Sequence, residues 1–539
     1  MKTKKYNSNT DIGEDDVKNT NFEGKSNKKI DKTVNIPLLN DEEYQEGLRE
    51  AFSSFQTTVN LNFPGIWPAV EAVGSVYSLL YIKDVTLPFA LFLLGDPSSK
   101  KSTVLALFEG LNRVYKTDKF SPKSFVSQYG AMKKEDLLQV DLLPRIKNRL
   151  FITPELAPIF GATEDELREN MAIITRVMDG RGLLTDSGVH GQRGYSGDYN
   201  FMWAGAVVDI PYRAWKLMGN LGSRLYFFRV KGREIEEDEA INNLIGPTYL
   251  EKLEKCKEAC ERYFKWLVGR EGPIEWNKEK DSVDVRKVIV RVARLLSRLR
   301  ATVNIWEKEG IEGSEYEYAT PVIENPDRAE NQLYNLARGH AFFMGRRQIL
   351  EDDLPLIIYV ALSSASKERV KLLEILLDNN GSISSSQLEK ELGCSKSTAL
   401  RVMKELFIIG LVDEIEIETK TKPIKGVRLK DELKWFLSDE FKELRSLPPL
   451  QFSLYLLPHQ YIFEEEFFKK IKRLLVPETP VIYYTESKKE YERWKEILEK
   501  GGKIIIKDDE IKDENLLRCD RCNSVFVNEA DLKAHTCGG

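Results

Sequence analysis

The residues best suited to chemistry stand in one unbroken run, Gly95–Asp96–Pro97–Ser98–Ser99–Lys100–Lys101–Ser102–Thr103. A polyphosphate is held by successive backbone N–H groups at the positive end of a helix, by a lysine across its β- and γ-phosphates, and by a hydroxyl on Mg²⁺. In the spacing G-x-x-x-x-G-K-[ST], Gly95, Lys101 and Ser102 fill those roles. Lys100 stands where the second glycine belongs, so a β-carbon enters a place where backbone should approach phosphate. The bland alternative is a strand–turn–helix with two exposed lysines.

A nucleotide hydrolase also needs a carboxylate beside the phosphate loop to orient water. Arg149–Leu150–Phe151–Ile152–Thr153 reads as a buried strand ending in Pro154–Glu155, which makes Glu155 the candidate general base. Proline replaces the aspartate expected before it, leaving Mg²⁺ either to Glu155 alone or, through water, to Ser102. Arg224 precedes the apolar run Leu225–Phe228, and in a ring of subunits such an arginine reaches a neighbour's γ-phosphate. The competing reading is a structural surface arginine.

Two further clusters carry their own chemistry. Cys519-x₂-Cys522, twelve residues, then His535 and Cys537 have the spacing of a small zinc module, with Phe526 and Leu532 as its core. A fold that small depends on the metal for stability. One residue between His535 and Cys537 requires the helix to end at His535. Its helix holds few basic residues, so protein and DNA are equal candidates for contact. Upstream, Ile383–Thr398 reads as helix, tight turn through Gly393 and a Ser-capped second helix that runs Thr398–Phe407. The basic hairpin 411–430 follows as a wing. A recognition helix offers its N-terminal side chains to the major groove, which nominates Ser395, Lys396, Ser397, Arg401 and Lys404. A winged helix used only for protein contacts is the alternative.

Elements must position these groups. The run Leu87–Leu94 before the phosphate loop reads as a buried parallel strand, with a helix over Thr103–Tyr115 after it. Phe201–Val208 reads as another buried strand and Glu164–Met178 as a helix. The expected architecture is α/β: residues 37–235 an αβα core, 236–365 a helical lid with helices at 249–269, 283–305 and 327–344, and 366–432 a winged helix-turn-helix. Residues 433–513 read as a small α/β region (strand Val481–Tyr484, helix Lys488–Lys500, strand Lys503–Lys507), and 514–539 as a ββα finger. Residues 1–36 are polar and too poor in apolar side chains to order.

The order of these motifs resembles the AAA+ ATPases, most closely the branch that holds minichromosome-maintenance (MCM) helicases and replication ATPases of mobile elements. The likeness covers residues 85–432. It implies that Arg224 is an arginine finger, Arg328 on the helix opening at Asp327 a sensor-2 arginine, and Asp209 after the strand Phe201–Val208 the sensor-1 group. It implies that the glycine-rich stretch 178–195 is a hairpin entering a central channel, where Arg181, His190 or Arg193 meets DNA backbone; an ordinary packing loop is the equal alternative. It also implies a ring, expected to be a hexamer.

Bulk properties exclude some classes. The chain has 539 residues, 42% of them hydrophobic, 31% charged and a formal net charge of −5, so any DNA-binding face is local. No apolar run reaches the ~18 residues of a membrane span, and the lysine-rich start has no apolar stretch behind it. An intracellular, cytoplasmic protein is expected. Six cysteines, three in the last 21 residues, point to metal rather than disulfides. Cys256 and Cys260, one helical turn apart, read as surface or half-buried thiols, and His340 and His459 as structural. The expected function is an ATP- and Mg²⁺-dependent DNA motor, a helicase or replication-initiation ATPase, with Zn²⁺ in its tail. The rivals are a DNA-binding regulator or adaptor with a degenerate nucleotide switch, and a remodelling chaperone.

Overall fold

The computed structural model describes residues 41–446, apart from 128–133, 188–190, 222–223, most of 233–243, 270–272, 311–312 and 419–421; beyond 446 it describes the strand pieces 517–518 and 525–526. The tail 1–36, the elements expected within 447–513, His459 and the four metal candidates lie outside the described residues.

Five strands build the central sheet: β1 (Phe89–Leu94), β2 (Val114–Lys116), β3 (Leu150–Thr153), β6 (Met202–Val207) and β7 (Leu225–Arg229). All pairs are parallel, in the order β2-β3-β6-β1-β7. Alternate side chains point to opposite faces of a strand, and β1 is apolar on both. Phe89, Leu91 and Leu93 enter one buried cluster, Ala90, Phe92 and Leu94 another. That explains the continuous apolar run and yields three layers. One face carries the helices Trp67–Ser78, Val283–Leu299 and Asp327–Phe343; the other carries Leu142–Ile146, Glu164–Val177 and Tyr212–Leu221.

The helix expected over Thr103–Tyr115 is shorter, Lys101–Ala106. Turns then lead through Gly110 to the edge strand β2, whose half-exposed Val114 and Tyr115 gave no periodic signal. The helix at 283 ends at Leu299 rather than 305. Residues 305–318 form an antiparallel hairpin, β8 (Ile305–Gly310) with β9 (Gly313–Tyr318), inside the stretch expected to be helical. Gly310 pairs with Gly313 at its end, and of its described side chains Trp306, Glu317 and Tyr318 are exposed.

The helix Tyr249–Gly269 buries Cys256 and Cys260, so neither is a surface thiol; burial pushes the Cys256 thiol up to about 11. Helices Trp67–Ser78 and Asp327–Phe343 cross closely, because a β-carbon on Gly339 would come within 2.4 Å of the Ser75 carbonyl and one on Gly74 within 2.4 Å of Phe343. The apolar core passes without a break from the sheet into the helix Leu354–Ser363 and the winged helix. That last unit comprises Lys367–Asp378, β10 (Ser382–Ser384), Ser385–Leu392, Lys396–Ile408 and the wing β11 (Val412–Ile417) with β12 (Ile424–Leu429). Leu433, Phe436 and Phe441 extend the same core past residue 432. Among the described residues no helix is long and apolar enough to cross a membrane.

Candidate nucleotide site and nucleic-acid interface

Parallel strands deliver their following loops to one edge of the sheet. The loop after central β1 is Gly95–Lys100. Gly95 sits hard against β7's continuation: a β-carbon there would lie 2.5 Å from the Val230 carbonyl oxygen. Ser98 and Lys100 both adopt left-handed backbone, φ 65° and 62°. That conformation costs a residue with a β-carbon roughly 1–2 kcal/mol. Lys100 therefore occupies the glycine position in the conformation a glycine would take, and its ammonium lies 5.9 Å from the Phe63 ring centre.

Lys101 turns inward. Its ammonium donates to the carbonyls of Gly95 (2.6 Å) and Asp96 (2.7 Å) and to Ser99 Oγ (3.2 Å). Burial lowers its pKa, and the charges of Glu155 and Asp96 oppose that shift. Lys101 and Glu155 thus share one electrostatic neighbourhood. Asp96, Pro97, Ser98 and Ser102 are exposed, while Thr103 is buried with its hydroxyl 3.1 Å from Tyr249 Oη.

Glu155 follows β3, which pairs with β6 rather than with β1. The interposed strand leaves a gap between this carboxylate and the loop after β1. Gly205 in β6 makes room for the Glu155 turn, because a β-carbon there would lie 2.7 Å from Thr153 Oγ1 and 2.6 Å from Leu156. Glu155 is exposed and its carboxylate accepts from the Ala157 N–H at 2.8 Å. Asp209, also exposed, follows β6 on the same edge. Its charge acts on Arg229, whose pKa burial lowers and Tyr359, Glu368 and Asp209 raise. Arg229 closes β7 opposite Leu94, beside the loop, and donates to the Ala365 carbonyl at 3.0 Å. Sequence reasoning passed over Arg229 as the last residue of an apolar strand.

Arg224 and Arg328 lie at the other edge. Arg224 immediately precedes β7, whose Leu225 pairs with Ala90 near the start of β1. From Phe89 to Leu94 is roughly 17 Å at ~3.3 Å per residue, so neither arginine reaches this chain's own loop. They meet on one carboxylate instead: Arg224 Nε is 3.0 Å and Arg328 Nη2 2.7 Å from Asp179 Oδ1, with Arg176 3.6 Å from Oδ2. Burial works against ionised Asp179, but Arg224 and Arg328 outweigh it and hold the carboxyl below its usual range. Asp179 lies in the glycine-rich stretch, and nothing local to it announces this convergence.

The stretch after Asp179 forms the expected hairpin, β4 (Gly182–Ser187) with β5 (Gly191–Ser196). Tyr195 anchors it by donating to Asp141 at 2.8 Å. Arg181 is exposed and Arg193 half-buried, while His190 lies outside the described residues.

In the winged helix, Ser395 Oγ caps the second helix by accepting from Thr398 N. Ser395, Lys396, Ser397 and Arg401 are exposed. Lys404 is engaged: it pairs with Glu414 at 3.0 Å and lies 4.6 Å from the Phe407 ring centre and 5.8 Å from that of Tyr318. At the far end, Leu517 pairs with Phe526 and Arg518 with Val525 in a short antiparallel hairpin, and Cys519 and Cys522 fall in the chain between the two strands. Among the described residues no cluster of three or more His, Cys, Asp or Glu is placed to hold a metal.

Comparison with known proteins gives one family match. Residues 363–421 match the M protein trans-acting positive regulator (MGA) HTH domain. No curated protein matches. Among solved structures, the chain is similar to a full-length MCM homologue from Methanopyrus kandleri at 12% identity and a TM-score of 0.33; the match covers 61% of this chain and 64% of that one. It is similar to the C-terminal region of NrS-1 at 12% identity and a TM-score of 0.25, covering 72% of this chain and 76% of that one.

Proposed function

We propose that the chain is a nucleoside-triphosphate hydrolase of the AAA+ type that works on DNA, with its active sites shared between subunits of a ring. The observation that carries this reading is the loop after β1. Two residues bear left-handed backbone there, and a buried ammonium is wrapped by Gly95, Asp96 and Ser99 at the end of a fully buried central strand. An ordinary surface turn has no reason to hold a lysine charge inward against carbonyls. An incoming triphosphate offers that ammonium a stronger partner. Gly95–Thr103 cradle the phosphates, Glu155 activates water, and Asp209 stands beside them.

Ser102 and Glu155 supply hard oxygen donors at the same edge, a set that fits Mg²⁺. The ion would neutralise phosphate charge there. Zn²⁺ fits the Cys519–Cys522 pair, which the short hairpin brackets, with His535 and Cys537 completing the set.

Arg224 and Arg328 stand too far from their own loop, and Asp179 gathers them with Arg176 into one cationic edge. That edge suits the γ-phosphate of a neighbouring subunit's nucleotide. The winged helix, through Ser395, Lys396, Ser397 and Arg401, and the hairpin, through Arg181, His190 and Arg193, are the DNA contacts.

Titration with a fluorescent ATP analogue tests the loop. Wild type should bind with micromolar affinity, and Lys101→Ala should weaken binding at least about tenfold. Equal binding by the two would remove the reading. A second reading, a DNA-binding regulator with a nucleotide switch that hardly turns over, draws on Lys100 in the glycine position and on Glu155 capping Ala157. It expects nucleotide binding without turnover on any DNA.

A further inference from the structure

The hairpin β8–β9 leaves the body of the molecule between the helices Val283–Leu299 and Asp327–Phe343 and returns to the winged helix. Tyr316 Oη donates to the Ser397 carbonyl at 2.9 Å, in the first turn of the recognition helix. Tyr318 places its ring near the Lys404 ammonium. The segment 305–318 holds five glutamates (307, 309, 312, 315 and 317) and one lysine, Lys308.

Its root is closed by paired bonds. Thr302 and Val322 exchange both backbone bonds, at 2.9 and 3.0 Å, and Ala319 N donates to the Asn304 carbonyl. Arg369 pins the recognition helix to the same root. It pairs with Glu405 at 2.7 Å and donates to the carbonyls of Leu299 (2.8 Å) and Ala301. Arg298 adds bonds to the Gly410 carbonyl and to Glu432 at 2.5 Å. Helix and hairpin are therefore held against one another from two sides.

Dimensions decide what this contact means. The major groove is ~12 Å wide and admits one helix or one two-stranded ribbon. A helix with its side chains is already ~10–12 Å across. A recognition helix whose first turn is bonded to a ribbon cannot enter the groove with that ribbon in place. Charge acts the same way: a segment with five glutamates repels phosphates that Lys396 and Arg401 would attract.

We propose that β8–β9 is a built-in obstruction beside the recognition helix, leaving Lys396 and Arg401 exposed but barring entry to the groove, and that duplex DNA and the hairpin compete for the space along that helix. This rests on reading the winged helix as a DNA binder.

Fluorescence anisotropy with the full chain and a labelled duplex tests it. One variant replaces all five glutamates (Glu307, Glu309, Glu312, Glu315 and Glu317) by glutamine; a second is Tyr316→Phe, which removes the bond to Ser397 without changing charge. Thermal melts of both check folding. The glutamine variant should bind duplex about tenfold or more tighter at low salt, and Tyr316→Phe should gain a smaller factor. Adding Arg401→Ala should cancel both gains. If affinity is unchanged or lower in both hairpin variants, or if the gains survive Arg401→Ala, the obstruction is overturned. Wild type binding through Arg401 as tightly as both variants would leave the DNA reading standing and remove the obstruction alone. If no form binds duplex at any salt, the DNA reading falls and takes the obstruction with it.

Discussion

Lys100 makes the sharpest demand in the loop after β1. Its left-handed backbone costs roughly 1–2 kcal/mol, and glycine would remove that strain while losing ~0.5–1 kcal/mol to its freer unfolded chain. The two nearly offset each other. Lys100→Gly should therefore shift Tm by only a few degrees, read by calorimetry. The same change opens the loop where backbone must approach phosphate, so affinity for an ATP analogue should rise several-fold by titration. Unchanged or weaker binding would mean that the Lys100 side chain serves the nucleotide rather than crowding it. Lys101 was legible at once, because spacing, preceding strand and following hydroxyl agree. Glu155 was legible only as a strand-end carboxylate. Its room depends on Gly205, about fifty residues downstream, and nothing local to either residue announces the other.

His340 joins elements that are far apart in sequence. Its ring nitrogens lie 2.5 Å from Asp353 Oδ1 and 2.7 Å from Glu71 Oε1, all three groups are buried, and Arg346 adds a 2.7 Å bond to Asp353. Burial opposes the charged ring, yet the two carboxylates win and raise its pKa from 6.5 to about 9. Folding thus favours the protonated ring. The stability it supplies is complete below about pH 6.5 and is lost as pH rises through 9. Melts between pH 7 and 10 should show Tm falling over that range, and His340→Ala should flatten the profile. That variant leaves two buried carboxylates short of a cation, a cost of about 3–5 kcal/mol, or roughly 10 °C in Tm. A flat wild-type profile would show that the ring is neutral at all these pH values. The elements themselves were read unevenly. β1, β3, β6 and the winged helix carry strong apolar patterns with clear caps, and their boundaries came within about two residues. β2 and β8–β9 were missed because half-exposed strands bury too little to impose a period. The Ser395 cap of the recognition helix is local and was read; the Arg369–Glu405 tie depends on tertiary placement and was not.

At the scale of the whole molecule, two edges of one sheet carry the candidate groups. The phosphate loop and Glu155 occupy one, and Arg224, Arg328 and Asp179 the other, with the length of β1 between them. On the proposed reading a single subunit holds both halves of an active site but cannot join them. Head-to-tail association can, and it closes into a ring when the rotation per subunit allows. Size analysis should show assembly strengthened by an ATP analogue, and Asp179→Ala should alter it by releasing both arginines. The most direct measurement mixes two crippled forms, Lys101→Ala and Arg224→Ala, in equal amounts with ATP and DNA. Each alone should be silent. In the mixture, a site pairing an intact loop with an intact neighbouring arginine arises at about one interface in four by random assembly, so turnover should return to about a quarter of the wild-type rate. A mixture as silent as its parts, beside an active wild type, would contradict an active site shared between subunits.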